Sequence, residues 1–142
     1  MEADQVMKVL EWVSRSKQPH HSVAVITSYV AQKQLIKKMV ARMSLSMKVE
    51  LATTQTAQAK EWDYTVVSTV RSNQRGLIGF NADRRRTNVG MSRAKVCTVV
   101  VGNRCCMTTD PDWKVIAEHC KQATFHAPVT AALANEVESF VA

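Results

Sequence analysis

The densest group of chemically useful side chains lies between Asp83 and Lys95, in the segment DRRRTNVGMSRAK. Its pattern predicts one helix over 83–95, with Arg86 and Arg93 about two turns apart on a shared face. Gly90 lies between them and would let a ligand approach the backbone closely. Because guanidinium groups are permanently charged forks of donors, this face suits a phosphate or another anion. A solvated basic helix that makes surface ion pairs is the alternative.

The net charge of the chain is concentrated around the same segment. The 142 residues carry 19 lysines and arginines against 12 acids, a formal net charge of +7. Between Arg71 and Lys95 there are seven basic residues and one acid. Such a concentration suits phosphate, either of a nucleic acid or of a nucleotide, although charge alone is equally compatible with a solvated surface.

Length and composition favour one domain spanning 1–142, with a core of its own. No run of 18 apolar residues occurs, and the acidic start MEADQVMK lacks the apolar stretch of a secretory signal. We therefore expect an intracellular protein, cytoplasmic or nuclear, with no membrane partner.

The four cysteines predict reduced, buried thiols. No CxxC pair is present, and a metal site built on His119, Cys120 and His126 would lack a second ligand pair. We predict no metal site.

Helical and strand patterns alternate along the chain. This alternation implies βαβ units and an α/β fold with a mostly parallel sheet and helices on both faces. Ligands of such sheets bind beyond the carboxyl ends of the strands, so the functional edge is expected there. The predicted helices cover 3–15, 32–47, 83–95, 112–122 and 128–141, and the predicted strands cover 22–27, 49–53, 64–70 and 97–103.

Four blocks of sequence follow one another in a specific order. They are VITSYVAQ (25–32), TTQTAQAKEWDYTVVSTVRSN (53–73), the basic segment 83–95 preceded by IGF (78–80), and CTVVVGN with DWKVIAEHC (97–103 and 112–120). Together they resemble the second RecA-like motor domain of superfamily 1 helicases, in the nonsense-mediated-decay helicase group. The resemblance covers about 22–122 and implies the RecA-like fold of P-loop NTPases, with 123–142 as a C-terminal helix.

The resemblance implies which residues meet a nucleic acid. The turn in the first block contacts the polymer backbone in this family, and Ser28 stands where the family usually has proline. The second block resembles the motif that touches the strand from the neighbouring loop. The implied nucleic-acid-binding residues are Thr27, Tyr29, Thr53, Gln58 and Arg71, and the implied partner is single-stranded RNA or DNA.

The resemblance also implies a nucleotide site made by Glu61, Arg86 and Arg93. Glu61 would accept from the ribose of ATP. Arg93 would be the catalytic arginine finger that reaches the γ-phosphate across a cleft. In the second block Gln55, Ala57 and Ala59 replace an acid, an aromatic and a glycine, in that order. Since alanine tolerates a positive φ poorly, we expect the backbone at Ala59 to be shifted.

The phosphate cradle of a P-loop ATPase does not occur in the sequence, because no GxxxxGK[ST] motif is present. In the resembling family an N-terminal RecA-like domain of the same protein holds ATP and Mg²⁺, so this domain is the expected partner. We predict that the 142-residue chain alone hydrolyses ATP negligibly.

Two other functions remain open at this point. The chain could be a non-catalytic nucleic-acid or protein binding module derived from a helicase domain, which the substitutions at Ser28, Ala57 and Ala59 favour. A flavodoxin-like domain would explain the fold pattern but not the ordered blocks.

Overall fold

A computed structural model describes residues 2–16, 21–70, 79, 83–123 and 138–141. Its strands form a six-stranded sheet in the order β2-β1-β3-β4-β6-β5. β1 to β4 are parallel, and β6 runs antiparallel to both of its neighbours. The helices are α1 (Glu2–Ser16), α2 (Val30–Ala41), α3 (Arg84–Met91), α4 (Arg104–Met107) and α5 (Pro111–His119); the strands are β1 (Val23–Thr27), β2 (Val49–Thr53), β3 (Trp62–Ser68), β4 (Ala94–Gly102), β5 (Lys121–Ala123) and β6 (Glu138–Val141).

The parallel strands are covered on both faces, as the continuous apolar runs predict. All five residues of β1 are buried. Val66 and Val99 face a cluster that includes α1 and Ile36 of α2, whereas Val67 and Val100 face a cluster with Trp113 of α5. The predicted α/β fold with helices on both faces is confirmed.

The basic helix is shorter than the sequence predicts. Asp83 caps α3 by accepting a hydrogen bond from the amide of Arg85, and the helix ends at Met91. β4 begins at Ala94, because the following run of β-branched residues pairs with β3. Arg93 therefore lies in the connector, and the prediction that it shares a helical face with Arg86 is wrong.

The predicted C-terminal helix is also wrong where the structure describes it. Glu138–Val141 is strand β6, which pairs with β4 from Val99↔Val141 to Gly102↔Glu138. Residues 124–137 of the prediction lie outside the described residues. The backbone donors and acceptors along β4 offer a ladder that residues 138–141 complete, and a local periodicity does not reveal such a long-range pairing.

Candidate nucleotide and nucleic-acid sites

Glu61 and Arg93 lie side by side at the amino edge of the sheet. Each directly precedes a strand, and the first residues of those strands, Trp62 and Ala94, are partners in the β3–β4 ladder. The amide of Trp62 donates to the carbonyl oxygen of Arg93 at 3.0 Å. Two residues 32 positions apart in the chain are thus brought together by the parallel register. This pair lies at the opposite edge from the one that the sequence predicts.

The two side chains of this pair are available for a ligand. Glu61 is exposed and Arg93 is half-buried. The guanidinium of Arg93 donates from Nε and Nη2 to the hydroxyl of Ser92, at 3.3 and 2.9 Å. Among the residues that the structure describes, neither side chain forms an ion pair. A fixed cation and an exposed acceptor therefore stand next to each other.

The connector from β2 to β3 holds Glu61 in place through contacts at both ends. Glu50 of β2 accepts from Lys60 Nζ and from Trp62 Nε1, each at 2.9 Å. These hydrogen bonds, with that from Lys60 the largest influence, lower the pKa of Glu50 below its ordinary value. Glu61 lies between the two anchored residues, so its backbone position is restrained.

Ala59 adopts φ 60° in this connector, the left-handed region that glycine occupies without strain. The substitution of glycine by alanine is therefore accommodated by strain in the backbone. Ala57 is completely buried in a cluster with Ala24, Ile26 and Trp62. The indole of Trp62 supplies aromatic bulk beside Ala57, where the family pattern has an aromatic residue.

The carboxyl edge carries most of the predicted nucleic-acid residues. Thr27 and Thr53 are partners at the ends of β1 and β2. Thr27 is buried, and its hydroxyl accepts from the amide of Tyr29 at 3.3 Å, so its side chain shapes the turn. Thr53 and Thr56 exchange hydrogen bonds within the next turn, including Thr53 N to Thr56 Oγ1 at 2.9 Å. Tyr29, which directly precedes α2 at this turn, is half-buried.

The other two predicted nucleic-acid residues are not part of this group. Gln58 is exposed in the β2–β3 connector. Arg71 lies outside the described residues.

Arg86 also belongs to the carboxyl edge. It lines a small pocket together with Thr27, Ser28 and Thr54. Its Nε lies 3.5 Å from a carboxylate oxygen of Asp83. The structure thus places Arg86 at the carboxyl edge and Arg93 at the amino edge of the sheet. It does not bring the three predicted nucleotide-binding residues together.

The sequence predicts that Gly90 opens α3 to a ligand, but Gly90 lies on the buried face of the helix, where it lines the same small pocket as Arg86. It is buried, and an added Cβ would lie 3.7 and 3.8 Å from the two methyl carbons of Val67. Gly90 therefore packs against β3. Arg84 has a structural contact as well, because its guanidinium forms two hydrogen bonds of 2.9 Å with Asp112 of α5.

A buried polar network that the sequence does not reveal closes the end of β3. Oε1 of Glu2 accepts from the hydroxyl of Ser68 and from the amide of Val70, each at 2.6 Å. Gln32 Nε2 donates to the same hydroxyl at 3.2 Å. Burial raises the pKa of Glu2 above its ordinary value, and the hydrogen bonds from Ser68 and Val70 oppose this effect. Val70 has φ 66°, which is strained for a β-branched residue.

The structure corrects the prediction for the four cysteines. Cys106 is buried and Cys97 and Cys120 are half-buried, but Cys105 is exposed, which corrects the expectation of four buried thiols. No three metal-ligating side chains cluster within the described residues, and His126 lies outside them.

None of the described helices has the length and apolar content needed to cross a bilayer.

Comparison with known proteins identifies the family of this chain. A family model described as "AAA domain" matches residues 1–105. Regulator of nonsense transcripts 1 of Caenorhabditis elegans is 34% identical over 137 residues, which is 92% of this chain and 13% of that protein. ATP-dependent helicase NAM7 of Saccharomyces cerevisiae is 31% identical over 127 residues, 86% of this chain and again 13% of that protein.

A solved structure with a distant likeness is the C-terminal domain of a possible DNA helicase from Lactobacillus plantarum. It has a TM-score of 0.49 and 17% identity, and the match covers 70% of this chain and 64% of that one. The present chain thus spans about an eighth of the length of the two relatives named above. It belongs to the AAA-domain family, as a RecA-like C-terminal motor domain of the superfamily 1 helicases in the nonsense-mediated-decay group.

Proposed function

We propose that this domain supplies the arginine finger and the ribose acceptor of an ATP-dependent RNA or DNA helicase. The observation that carries the proposal is the adjacency of Glu61 and Arg93 at the starts of two neighbouring parallel strands. A carboxylate accepts hydrogen bonds from sugar hydroxyls, and a guanidinium pairs with phosphate oxygens. The ribose and the phosphates of one nucleotide therefore match the hydrogen-bonding chemistry of Glu61 and Arg93, respectively.

The residues present fit ATP but not its metal ion. Mg²⁺ prefers octahedral oxygen ligands, usually carboxylates together with phosphates and water. Near this edge the carboxylate of Asp63 is engaged by the amide and hydroxyl of Ser22, at 2.9 and 3.0 Å. Within the described part of the chain no cluster of metal-ligating side chains is left to hold the ion. An N-terminal RecA-like domain of the same protein would hold Mg²⁺ and the β- and γ-phosphates.

The chemistry of Arg93 is electrostatic. Phosphoryl transfer spreads negative charge over the oxygens of the transferred group, and a guanidinium fixed beside them stabilises that charge. The hydroxyl of Ser92 orients the Arg93 guanidinium without neutralising it. Arginine fingers raise the rate by about 10³–10⁵. Glu61 would hold the ribose and so contribute mainly to affinity for the nucleotide.

The nucleic acid would run over the opposite, carboxyl edge. There the turn after β1 carries Tyr29, and the first turn of α3 carries Arg86. A domain with a nucleotide at one edge and a strand at the other can couple lobe closure on ATP to movement along the strand. The net charge of +7 supports contact with a polyanion.

A second candidate function is a non-catalytic binding module derived from such a domain. The alanine at position 59 favours it, since the family pattern has a glycine there and an alanine holds the left-handed φ of 60° only under strain. This module would bind a single strand without contributing to hydrolysis.

One pair of variants separates the two functions within the complete helicase that contains this chain. Arg93→Ala should lower nucleic-acid-stimulated ATP turnover by roughly 10³-fold or more while leaving single-strand affinity nearly unchanged. Arg15→Ala is the matched control, because Arg15 is 71% exposed on α1 and pairs only with Glu11 in its own helix among described residues. If the domain is only a binding module, Arg93→Ala should leave ATP turnover unchanged, because the domain does not contribute to hydrolysis. A parallel fall in strand affinity and turnover would instead place Arg93 on the polymer.

A further inference from the structure

A second basic surface, outside the basic stretch between Arg71 and Lys95, lies on α2. Over residues 28–49 the chain has five basic residues and no acid. Three of these cations are exposed on α2 or directly after it, namely Lys37, Lys38 and Arg42. Among the described residues none of the three forms an ion pair. Their charge is therefore available to a partner with carboxylates or phosphates.

Exposed apolar side chains lie among these cations. α2 packs against the core through Ile36, so the opposite side of the helix faces outward. Val30 is 62% exposed and Leu35 is 48% exposed on that outer side. Leu35, Lys38 and Arg42 are spaced by three and four residues, so they form one row along the helix. The basic face of α2 consists of Val30, Leu35, Lys37, Lys38 and Arg42.

A solvated helix surface does not account for this composition. α1 packs on the same side of the sheet, carries charges of both signs and forms an ion pair of 3.4 Å within the helix. On α2 the four-residue spacings join like charges instead, Lys33 with Lys37 and Lys38 with Arg42. Like-charge pairs at this spacing destabilise a helix. A partner that carries carboxylates would relieve this repulsion.

The exposed apolar side chains distinguish an acidic protein from a nucleic acid. A nucleic-acid backbone is contacted chiefly through its phosphates and sugars, which gain little from covering Val30 and Leu35. Proteins that hold single strands add aromatic side chains on which bases stack, and α2 contains none. An amphipathic helix with glutamates beside leucines matches both the charges and the apolar groups, and lysine stems add apolar surface to such a contact.

We propose that the basic face of α2 binds an acidic amphipathic helix of a partner protein. Carboxylates of that helix pair with Lys37, Lys38 and Arg42, and its apolar side chains cover Val30 and Leu35. The face lies on the outer side of a helix that covers the sheet. The inference therefore goes beyond the proposed function and uses neither the nucleotide site nor the strand track.

The probe is a fluorescein-labelled helical peptide of about 15 residues, with leucines at every third and fourth position and glutamates beside them. Its binding to the 142-residue chain is followed by fluorescence anisotropy. Affinity should fall as salt is raised, because exposed charge pairs are screened. The control peptide keeps the leucines and has lysines in place of the glutamates. It should bind at least roughly tenfold more weakly, because like charges then face each other.

Lys37→Glu separates binding from stability. It replaces the repulsion from Lys33 by an attraction, so the urea concentration at the unfolding midpoint should rise. Binding of the glutamate peptide should weaken roughly tenfold, because an attraction becomes a repulsion. Lys114→Glu is the matched control, since it makes the same change in net charge at an exposed position of α5, a helix on the other side of the sheet. It should leave the peptide affinity unchanged.

Leu35→Ala tests the apolar part of the contact. Because Leu35 is half exposed and alanine is the better helix former, the fold should tolerate the change. Affinity for the glutamate peptide should fall roughly fivefold, since less apolar area is covered on binding.

Each opposite result overturns the docking face. Equal affinity for the two peptides, or unchanged affinity in Lys37→Glu or Leu35→Ala, contradicts it. A lower unfolding midpoint in Lys37→Glu also does so, because Lys37 would then stabilise its own domain. If the wild type binds an oligouridylate but not the glutamate peptide, and Lys37→Glu weakens that binding, the face belongs to a nucleic acid and the proposal fails. The proposed function is tested separately by Arg93→Ala and stands or falls without this face.

Discussion

Ala59→Gly should stabilise the protein, although glycine usually destabilises a fold. Ala59 is exposed, so the substitution removes no packing, and its φ of 60° lies in the left-handed region. That conformation costs an L-residue about 1–2 kcal/mol. About 0.4–1 kcal/mol of this gain is offset, because glycine gives the unfolded chain more conformational freedom and so stabilises the unfolded state. The expected net increase in the free energy of unfolding is about 0–1.6 kcal/mol, with a central value of about 0.8 kcal/mol.

The assay is urea unfolding followed by tryptophan fluorescence, with the midpoint and the slope fitted together. The midpoint of Ala59→Gly should rise at an unchanged slope, because the surface exposed on unfolding is the same. Ala57→Gly, two residues away, is the matched control. Ala57 is completely buried against Trp62 and has no positive φ, so its substitution should lower stability by about 1 kcal/mol or more. A lower midpoint for Ala59→Gly would refute the strain at this position.

Three further changes test the packing and the buried acid. Gly90→Ala should stabilise by about 0.5–1 kcal/mol in urea unfolding, because a Cβ there meets Val67 at an ordinary 3.7 Å and alanine is the better helix former; a loss of stability would contradict that packing. Gly102→Ala should destabilise by about 1–3 kcal/mol in the same assay, because its Cβ would collide with the side chain of Thr69; an unchanged midpoint would contradict the close approach. The raised pKa of Glu2 means that the folded state binds its proton more tightly than the unfolded state does, so this contribution to stability is present below pH 4.5 and is lost as pH rises through the folded pKa. The free energy of unfolding of the wild type, measured from pH 4 upward, should therefore decline with pH in a way that the free energy of unfolding of Glu2→Gln does not. Identical pH profiles of the two proteins would refute the raised pKa of Glu2.

The sequence alone was enough for the α/β class and for most of the elements. Local patterns suffice where a strand is buried on both faces, as in β1, or where a cap marks a helix, as Asp110 and Pro111 do for α5. They fail where a segment joins the sheet through a distant partner. Residues 138–141 have a helical pattern, but they pair with β4, and the ladder outweighs the local preference.

The candidate sites show the same contrast between what the local sequence determines and what the tertiary structure determines. Residue types and ordered motifs singled out Glu61, Arg93 and Tyr29 from the chain alone, because chemistry depends on side-chain kind. The register of β3 with β4 decided that Glu61 and Arg93 are neighbours, and the early end of α3 decided that Arg86 is not one of them. That the Thr54 hydroxyl is buried without a hydrogen-bond partner among the described residues could not be seen before folding, since burial and hydrogen-bond satisfaction are properties of the packed chain and not of any one residue.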